Sequence, residues 1–268
     1  LSIWLIIWIL LSIALIGFVF WTSLILYMQK QAWKKFADKY ELRYSVEKIL
    51  DSPTVEGVIS GYKVALLTSA HLTEDIKGTK NMTAFEITLK TILPTKGAIG
   101  SGDMADIIKT LGFHDEHSLK EPAWNKEWVI QADNTSIMDA YLTQDRINTL
   151  IKLLGMKNAC AILLFQPETT LLRVDLSNPL TSIEDLEKLK KIMFASLKTL
   201  EISELEKTDL AKVRAKSSAK LNAIELEDDK DGEINVTGLS LEEEAAPPKS
   251  EEISSDDKKS TSEEEDKK

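Results

Sequence analysis

IWLIIWILLSIALIGFVFWTSLILYMQKQAWKKFADKYELR, residues 3–43, opens as an apolar run and closes as a cationic, aromatic one. No charged side chain occurs from Leu1 to Gln29, and Lys30, Lys34, Lys35, Lys39 and Arg43 then arrive within fourteen residues. At about 1.5 Å per residue, Ile3–Tyr27 is long enough to cross about 30 Å of hydrocarbon with length to spare for tilt. Sixteen of those residues are Leu, Ile, Val or Phe. Their insertion energies outweigh the small costs of Ser12, Gly17, Thr22 and Ser23. Trp4 and Trp8 lie toward one end and Trp21, Tyr27 and Trp33 toward the other, the pattern of two aromatic belts at the headgroup level.

A secretory signal peptide is the rival reading of the same run. It wants a basic start, a core of about 7–15 apolar residues and a small-residue cleavage site. Here the core is longer, and the segment closes on Tyr27-Met28-Gln29-Lys30. A retained transmembrane anchor over 1–29 is therefore expected. The Lys and Arg that follow it place the soluble part on the cytoplasmic side, with a very short N-terminus outside.

Directly after the anchor, 30–48 reads as an amphipathic juxtamembrane helix. Trp33, Phe36, Ala37, Tyr40 and Tyr44 fall on one face, with Lys34, Lys35, Asp38 and Lys39 off it. Two roles are open to it. Lys30, Trp33, Lys34, Lys35, Lys39 and Arg43 form a membrane-surface set that grips anionic headgroups, or the aromatic face packs on the domain as an ordinary core helix.

Charge separates the remainder into a body and a tail. Of 43 acidic and 33 basic side chains, 17 and 6 lie in 225–268, leaving 26 and 27 in the rest. No aromatic residue follows Phe194, so 206–268 is expected to be a disordered acidic tail, with too little apolar surface to offset chain entropy. The span 49–205 is long enough for one domain with its own core. Thr54–Ser60 and Tyr62–Ser69 read as a hairpin turning at Ser60-Gly61. Thr83–Leu93 and Glu127–Ala132 read as further strands, and Gly97–Gly102 as a loop before a short helix, Asp103–Leu111. Ser136…Asp139 has capping-box spacing and opens a helical stretch to Leu154, broken near Thr143. Ala159–Gln166 and Thr169–Leu176 form a second hairpin. Thr181…Glu184 opens a long helix that buries Ile183, Leu186, Leu189, Met193 and Leu197. Strand and helix do not alternate regularly, so the fold class expected is α+β: an N-terminal transmembrane helix, then a mostly antiparallel sheet and a long C-terminal helix.

The chemistry-bearing motifs are incomplete. His114 and His117 share no third His or Cys, so a metal site lacks its ligand set. Gly97, Gly100 and Gly102 fit neither dinucleotide nor P-loop spacing, and Asp103 and Asp106 repel anions from the helix that follows. Glu227 to Gly238 imitates half a calcium loop but ends in glycine where the bidentate carboxylate belongs. The single cysteine, Cys160, lies in an apolar run and reads as a small core residue. No catalytic residue, metal or cofactor is expected, and no nucleic-acid partner.

The run Pro53-Thr-Val55-Glu-Gly57-Val-Ile-Ser-Gly61-Tyr-Lys-Val64 resembles the Pro-x-Val-x-Gly hairpin of an uncharacterised bacterial family of membrane-anchored proteins. Pro122-Ala-Trp124, Trp128-Val-Ile130, Asp133, Tyr141-Leu-Thr143 and Arg146 resemble its middle segment. The resemblance spans roughly residues 33 to 203. It implies a single-pass protein of the bacterial inner membrane with a domain of unknown function, and it transfers no catalytic residue. The functional expectation is a cytoplasmic interaction or scaffolding module, with the bilayer and an unidentified membrane or cytoplasmic protein as partners. The alternative is a tethered domain that binds lipid or a small amphiphile.

Overall fold

A computed structural model describes residues 2–48, 51–72 and 79–228. The chain divides into two compact units, Leu1–Ile224 and Glu225–Lys268. The acidic segment from residue 229 onward, including most of the calcium-like run, lies outside the described residues.

The apolar run and the aromatic stripe after it belong to one helix, α1 (Ile3–Lys39), 37 residues long. Every side chain from Ile3 to Leu24 is exposed, whereas Gln29, Ala32, Trp33, Phe36 and Ala37 are buried. That buried set repeats at helical spacing, so one stripe of the last three turns enters the domain. The helix ends earlier than expected. Glu41 adopts a left-handed conformation (φ 54°) and Leu42 N–H donates back to the Ala37 carbonyl at 2.9 Å, which closes the last turn. Arg43–Ser45 then forms β1, where Tyr44 faces Val55 across an antiparallel ladder, so the helix expected to residue 48 becomes an edge strand.

The remaining strands are β2 (Thr54–Ile59), β3 (Tyr62–Leu72), β4 (Thr79–Leu89), β5 (Gly97–Gly100), β6 (Asp115–Glu116), β7 (Val129–Ala132), β8 (Ala159–Phe165) and β9 (Thr170–Leu176). They form one sheet in the order β1-β2-β3-β4-β9-β8-β5-β7-β6, and all its pairs are antiparallel. The first hairpin turns where expected. Ser60 and Gly61 have φ of 52° and 82°, the two positive values a type I′ turn demands.

The helices are α2 (Asp103–Thr110), α3 (Thr135–Tyr141), α4 (Gln144–Leu154), α5 (Ile183–Leu200) and α6 (Glu204–Asp228). Two capping assignments shift by one or two residues. Asn134 caps α3 by accepting from Ile137 N–H at 3.1 Å, and Ser182 caps α5 by accepting from Asp185 N–H at 3.2 Å. The expected disordered tail begins too early, because 204–228 is helical and Leu210 is buried in the main core.

Gly97–Gly100 is a central strand, contrary to the loop reading. A methyl group on Gly97 would stand 2.8 Å from the Gln131 carbonyl oxygen, and one on Gly100 would stand 2.6 Å from Ile108 Cδ1. These glycines admit close packing of α2 and the neighbouring strands, so here glycine marks crowding.

Alternate residues of each strand supply the two faces of the sheet. Val64, Leu66, Phe85, Ile87, Leu163, Phe165, Leu172 and Val174 join the last turns of α1, α3, α4 and α5 in one core. Phe36 meets Phe85 edge-on, with ring centroids 6.3 Å apart, and so ties α1 to the middle of the sheet. On the second face, Met104, Ala105 and Ile108 of α2 cover Ala98, Val129 and Ile162 in a smaller core.

Candidate functional site

Two features stand apart from the packing. One is the junction between α1 and the domain, and the other is the part of the second sheet face beyond α2.

At the junction a polar clasp fixes α1 to α5. Tyr40 Oη donates to Glu187, Lys39 Nζ donates to the same carboxylate at 2.8 Å, and Lys190 Nζ donates to Tyr40 Oη at 2.8 Å. Lys190 also stands 4.1 Å from the centre of the Tyr40 ring. Burial pushes the Glu187 carboxyl up, but the hydrogen bonds from Lys39 and Tyr40 outweigh it and hold the carboxyl below its ordinary value. The hydrogen bond to Glu187 raises Lys39 in return.

The six membrane-surface candidates therefore divide. Trp33 is wholly enclosed in the main core, so its ring is taken by the domain. Lys39 is held by Glu187. Arg43 lies on the edge strand beside Glu56 and lines a depression in the second face. Lys34 and Lys35 are exposed on the outer side of α1, and Lys30 is half-buried.

The part of the second face that no described element covers mixes charged and apolar side chains. One cross-strand row runs Arg43, Glu56, Ala65, Glu86 and Arg173, and ends at Ile162 beneath α2. The next runs Val58, Lys63, Thr88, Leu171 and Leu164. A shallow depression of about 420 Å³ lies here, with Ala65 and Leu171 among its apolar lining and Arg43, Lys63, Glu56 and Glu86 among its charged groups. Val58 is 58% exposed at its border.

Beside it sits a buried polar network that sequence reading missed. Asp175, fully enclosed, accepts from Ser69 Oγ (2.7 Å), His71 Nε2 (2.6 Å) and Arg173 Nε and Nη2 (both 2.7 Å). Arg173 Nη1 donates to Glu86 at 2.9 Å, and His71 Nδ1 lies 3.6 Å from Asp103 at the start of α2. Burial pushes the Asp175 carboxyl up, yet the bonds from Arg173, Ser69 and His71 outweigh it and hold it below the ordinary carboxylate range. The signal was the polar alternation Arg173-x-Asp175 within one predicted strand and Ser69-x-His71 at and just beyond the end of another. Ser, His and Asp meet here, but Ser69 and His71 bind the same Asp175 oxygen. The imidazole does not stand between hydroxyl and carboxylate, so no nucleophile relay is formed. The network joins β3, β4 and β9.

A second buried charge braces the helices. Arg146, almost fully enclosed, donates to the carbonyls of Tyr141, Thr199 and Glu201 and grips Glu206 through both terminal nitrogens. These bonds satisfy carbonyls at the end of α5 that the helix cannot satisfy itself. They also depress the Glu206 carboxyl, against a smaller effect of burial. The two histidines of the polar loop go separate ways: His114 pairs with Asp133 and His117 with Asp139, each at 3.1 Å. Among the described residues no three His, Cys, Asp or Glu side chains converge as metal ligands.

No family model matches the chain, and no curated protein matches it. Among solved structures it has a distant similarity to the mycobacterial trehalose monomycolate transport factor A, TtfA. The identity is 12% and the TM-score 0.37, over 69% of this chain and 95% of that one.

Proposed function

We propose that this chain is a single-pass, membrane-tethered interaction module whose domain lies on the cytoplasmic side and engages a protein surface of mixed charge. The observation that carries the reading is α1 itself. One unbroken helix supplies both a bare apolar segment of membrane-spanning length and Trp33, Phe36 and Ala37 of the domain core. A cleaved signal would take no part in such a core. Lys30, Lys34, Lys35, Lys39 and Arg43 after the apolar run support the cytoplasmic side.

For the partner, the support is the second sheet face. Its depression is shallow, and both charge signs occur along the row, with Arg43 and Arg173 at its ends and Glu56 and Glu86 between them. Mixed signs favour a partner whose own charges are mixed and complementary, and disfavour uniformly charged polymers. A second reading rests on one observation, the mainly apolar lining of the same depression with Arg43 and Lys63 beside it. That combination suits an anionic amphiphile.

A photo-reactive amino acid at Val58, in the full chain in native membranes, separates the two. A discrete protein adduct that disappears with Lys63→Glu/Glu86→Lys supports the module. A lipid-sized adduct supports the amphiphile reading, and no adduct above that of a probe at Lys109 on α2 removes both. A reporter fused after Lys268 should be active only in its cytoplasmic form; activity only on the far side would reverse the orientation.

A further inference from the structure

We infer that the domain sits flush against the bilayer and contacts anionic lipid headgroups through Lys34 and Lys35, with Lys39 and Arg43 playing no part. The inference rests on the tether reading and adds the partner chemistry and the residues.

The first support is the absence of a linker. Met28 ends the apolar run, and the next residue, Gln29, is already buried by the domain. Helix continues through both without interruption, so no flexible segment lets the domain drift from the surface. The polar headgroup zone is several ångströms deep on each side of the hydrocarbon, and the first buried turns of α1 therefore fall within or just beyond it.

The second support is the way the domain sorts the cations. The buried stripe Gln29, Ala32, Trp33, Phe36 and Ala37 turns the opposite side of the helix outward, and Lys34 and Lys35 flank that outer side together with Gln31 and Asp38. At about 1.5 Å per residue, Lys34 and Lys35 stand about 9–10 Å along the axis from Met28 before counting their long side chains. That is about one Debye length at physiological salt. Lys39 stands about 16 Å away by the same rise, and its ammonium is already held by Glu187. Arg43 has left the helix for the edge strand next to Glu56. Trp33, an amphipathic ring at the right depth, is enclosed in the core and adds nothing to a lipid contact. What remains is a purely electrostatic contact, sensitive to salt.

The test uses the full chain in phosphatidylcholine nanodiscs containing phosphatidylglycerol, with spin-labelled versions of each lipid reporting which one borders the protein. The parent should prefer phosphatidylglycerol, and Lys34→Gln/Lys35→Gln should remove that preference at low salt, by about fivefold per lysine. Lys39→Gln/Arg43→Gln should keep it, and raised salt should abolish it in the parent. All these lysines are exposed, so an unchanged melting temperature checks that the Lys34/Lys35 variant is folded. Preference retained in that variant, or lost equally in the Lys39/Arg43 variant, overturns the inference. Failure of the tether reading shows separately, as release of the parent from membranes by alkaline carbonate.

Discussion

The two faces of the sheet are written on the same strands, one residue apart, yet they are built by different means. The face toward α1, α3, α4 and α5 is sealed by apolar contact, with Trp33, Phe36, Phe85 and Phe165 among its largest enclosed side chains. Among the described residues the other face is sealed only by α2, and beside that seal a buried position is held by charge: Asp175 with Ser69, His71 and Arg173 around it. Apolar burial needs only shape and volume, whereas a buried carboxylate needs every partner in place. The first face should therefore fail by loss of volume, and the second by loss of a single hydrogen bond or a proton.

The largest effect belongs to the apolar face. Trp33→Ala should destabilise the domain by about 3–5 kcal/mol, because it deletes an enclosed indole at the point where α1 enters the core. Thermal or urea unfolding of the detergent-solubilised chain measures it. A loss under about 1 kcal/mol would mean that the helix rests on the sheet without sealing it, and the contrast between the faces would weaken.

How far this contrast could be read from sequence depends on the residue. Val55, Val64, Leu66 and the hairpin turn at Ser60-Gly61 were legible, because period-two alternation and paired positive φ angles are local properties. The long helix α5 was legible for the same reason. The strand at Gly97–Gly100 was not: its glycines answer to the Gln131 backbone and to Ile108 of the helix folded over them, contacts that only the tertiary structure makes. Nor was the end of α1, where Glu41 adopts a conformation that favours glycine. The candidate site was half legible. Charge and hydropathy singled out the lysines, but only the fold shows that Trp33 is inside, Lys39 is taken and Asp175 is surrounded.

The second prediction concerns the charged network. Asp175→Asn should cost about 2–3 kcal/mol at neutral pH, the usual range for losing hydrogen bonds to a charged group. The pH dependence sharpens it. The Asp175 carboxyl is held below its ordinary value in the folded protein. On acidification the unfolded chain therefore takes up this proton first. The stabilisation is complete above about pH 4, the unfolded carboxylate range, and is lost as pH falls through the lower folded value. Glu187 and Glu206 carry shifts of the same sign and remain in both proteins. The difference between parent and Asp175→Asn unfolding curves from neutral to acid therefore isolates Asp175, and it should shrink as pH falls below about 4. A difference that stays constant across that range would show that Asp175 contributes shape and no charge.

The smallest effect tests the alternation itself, with one substitution made on each face. Val58 and Val64 are the same residue on neighbouring strands of one hairpin, 58% and 6% exposed. Threonine matches valine in shape, so Val→Thr changes volume little and adds only a hydroxyl. At Val64 that hydroxyl enters the main core among Leu66, Phe85 and Ile87, where burying it without a partner costs about 1–3 kcal/mol. At Val58 the hydroxyl meets water on the uncovered face, and the change should stay within about 0.5 kcal/mol. Threonine suits a strand as well as valine does, so propensity does not blur the comparison. Equal losses at both sites would mean that Val58 is covered in the folded protein, by a partner copy or by a segment outside the described residues. The face proposed for a partner would then already be occupied.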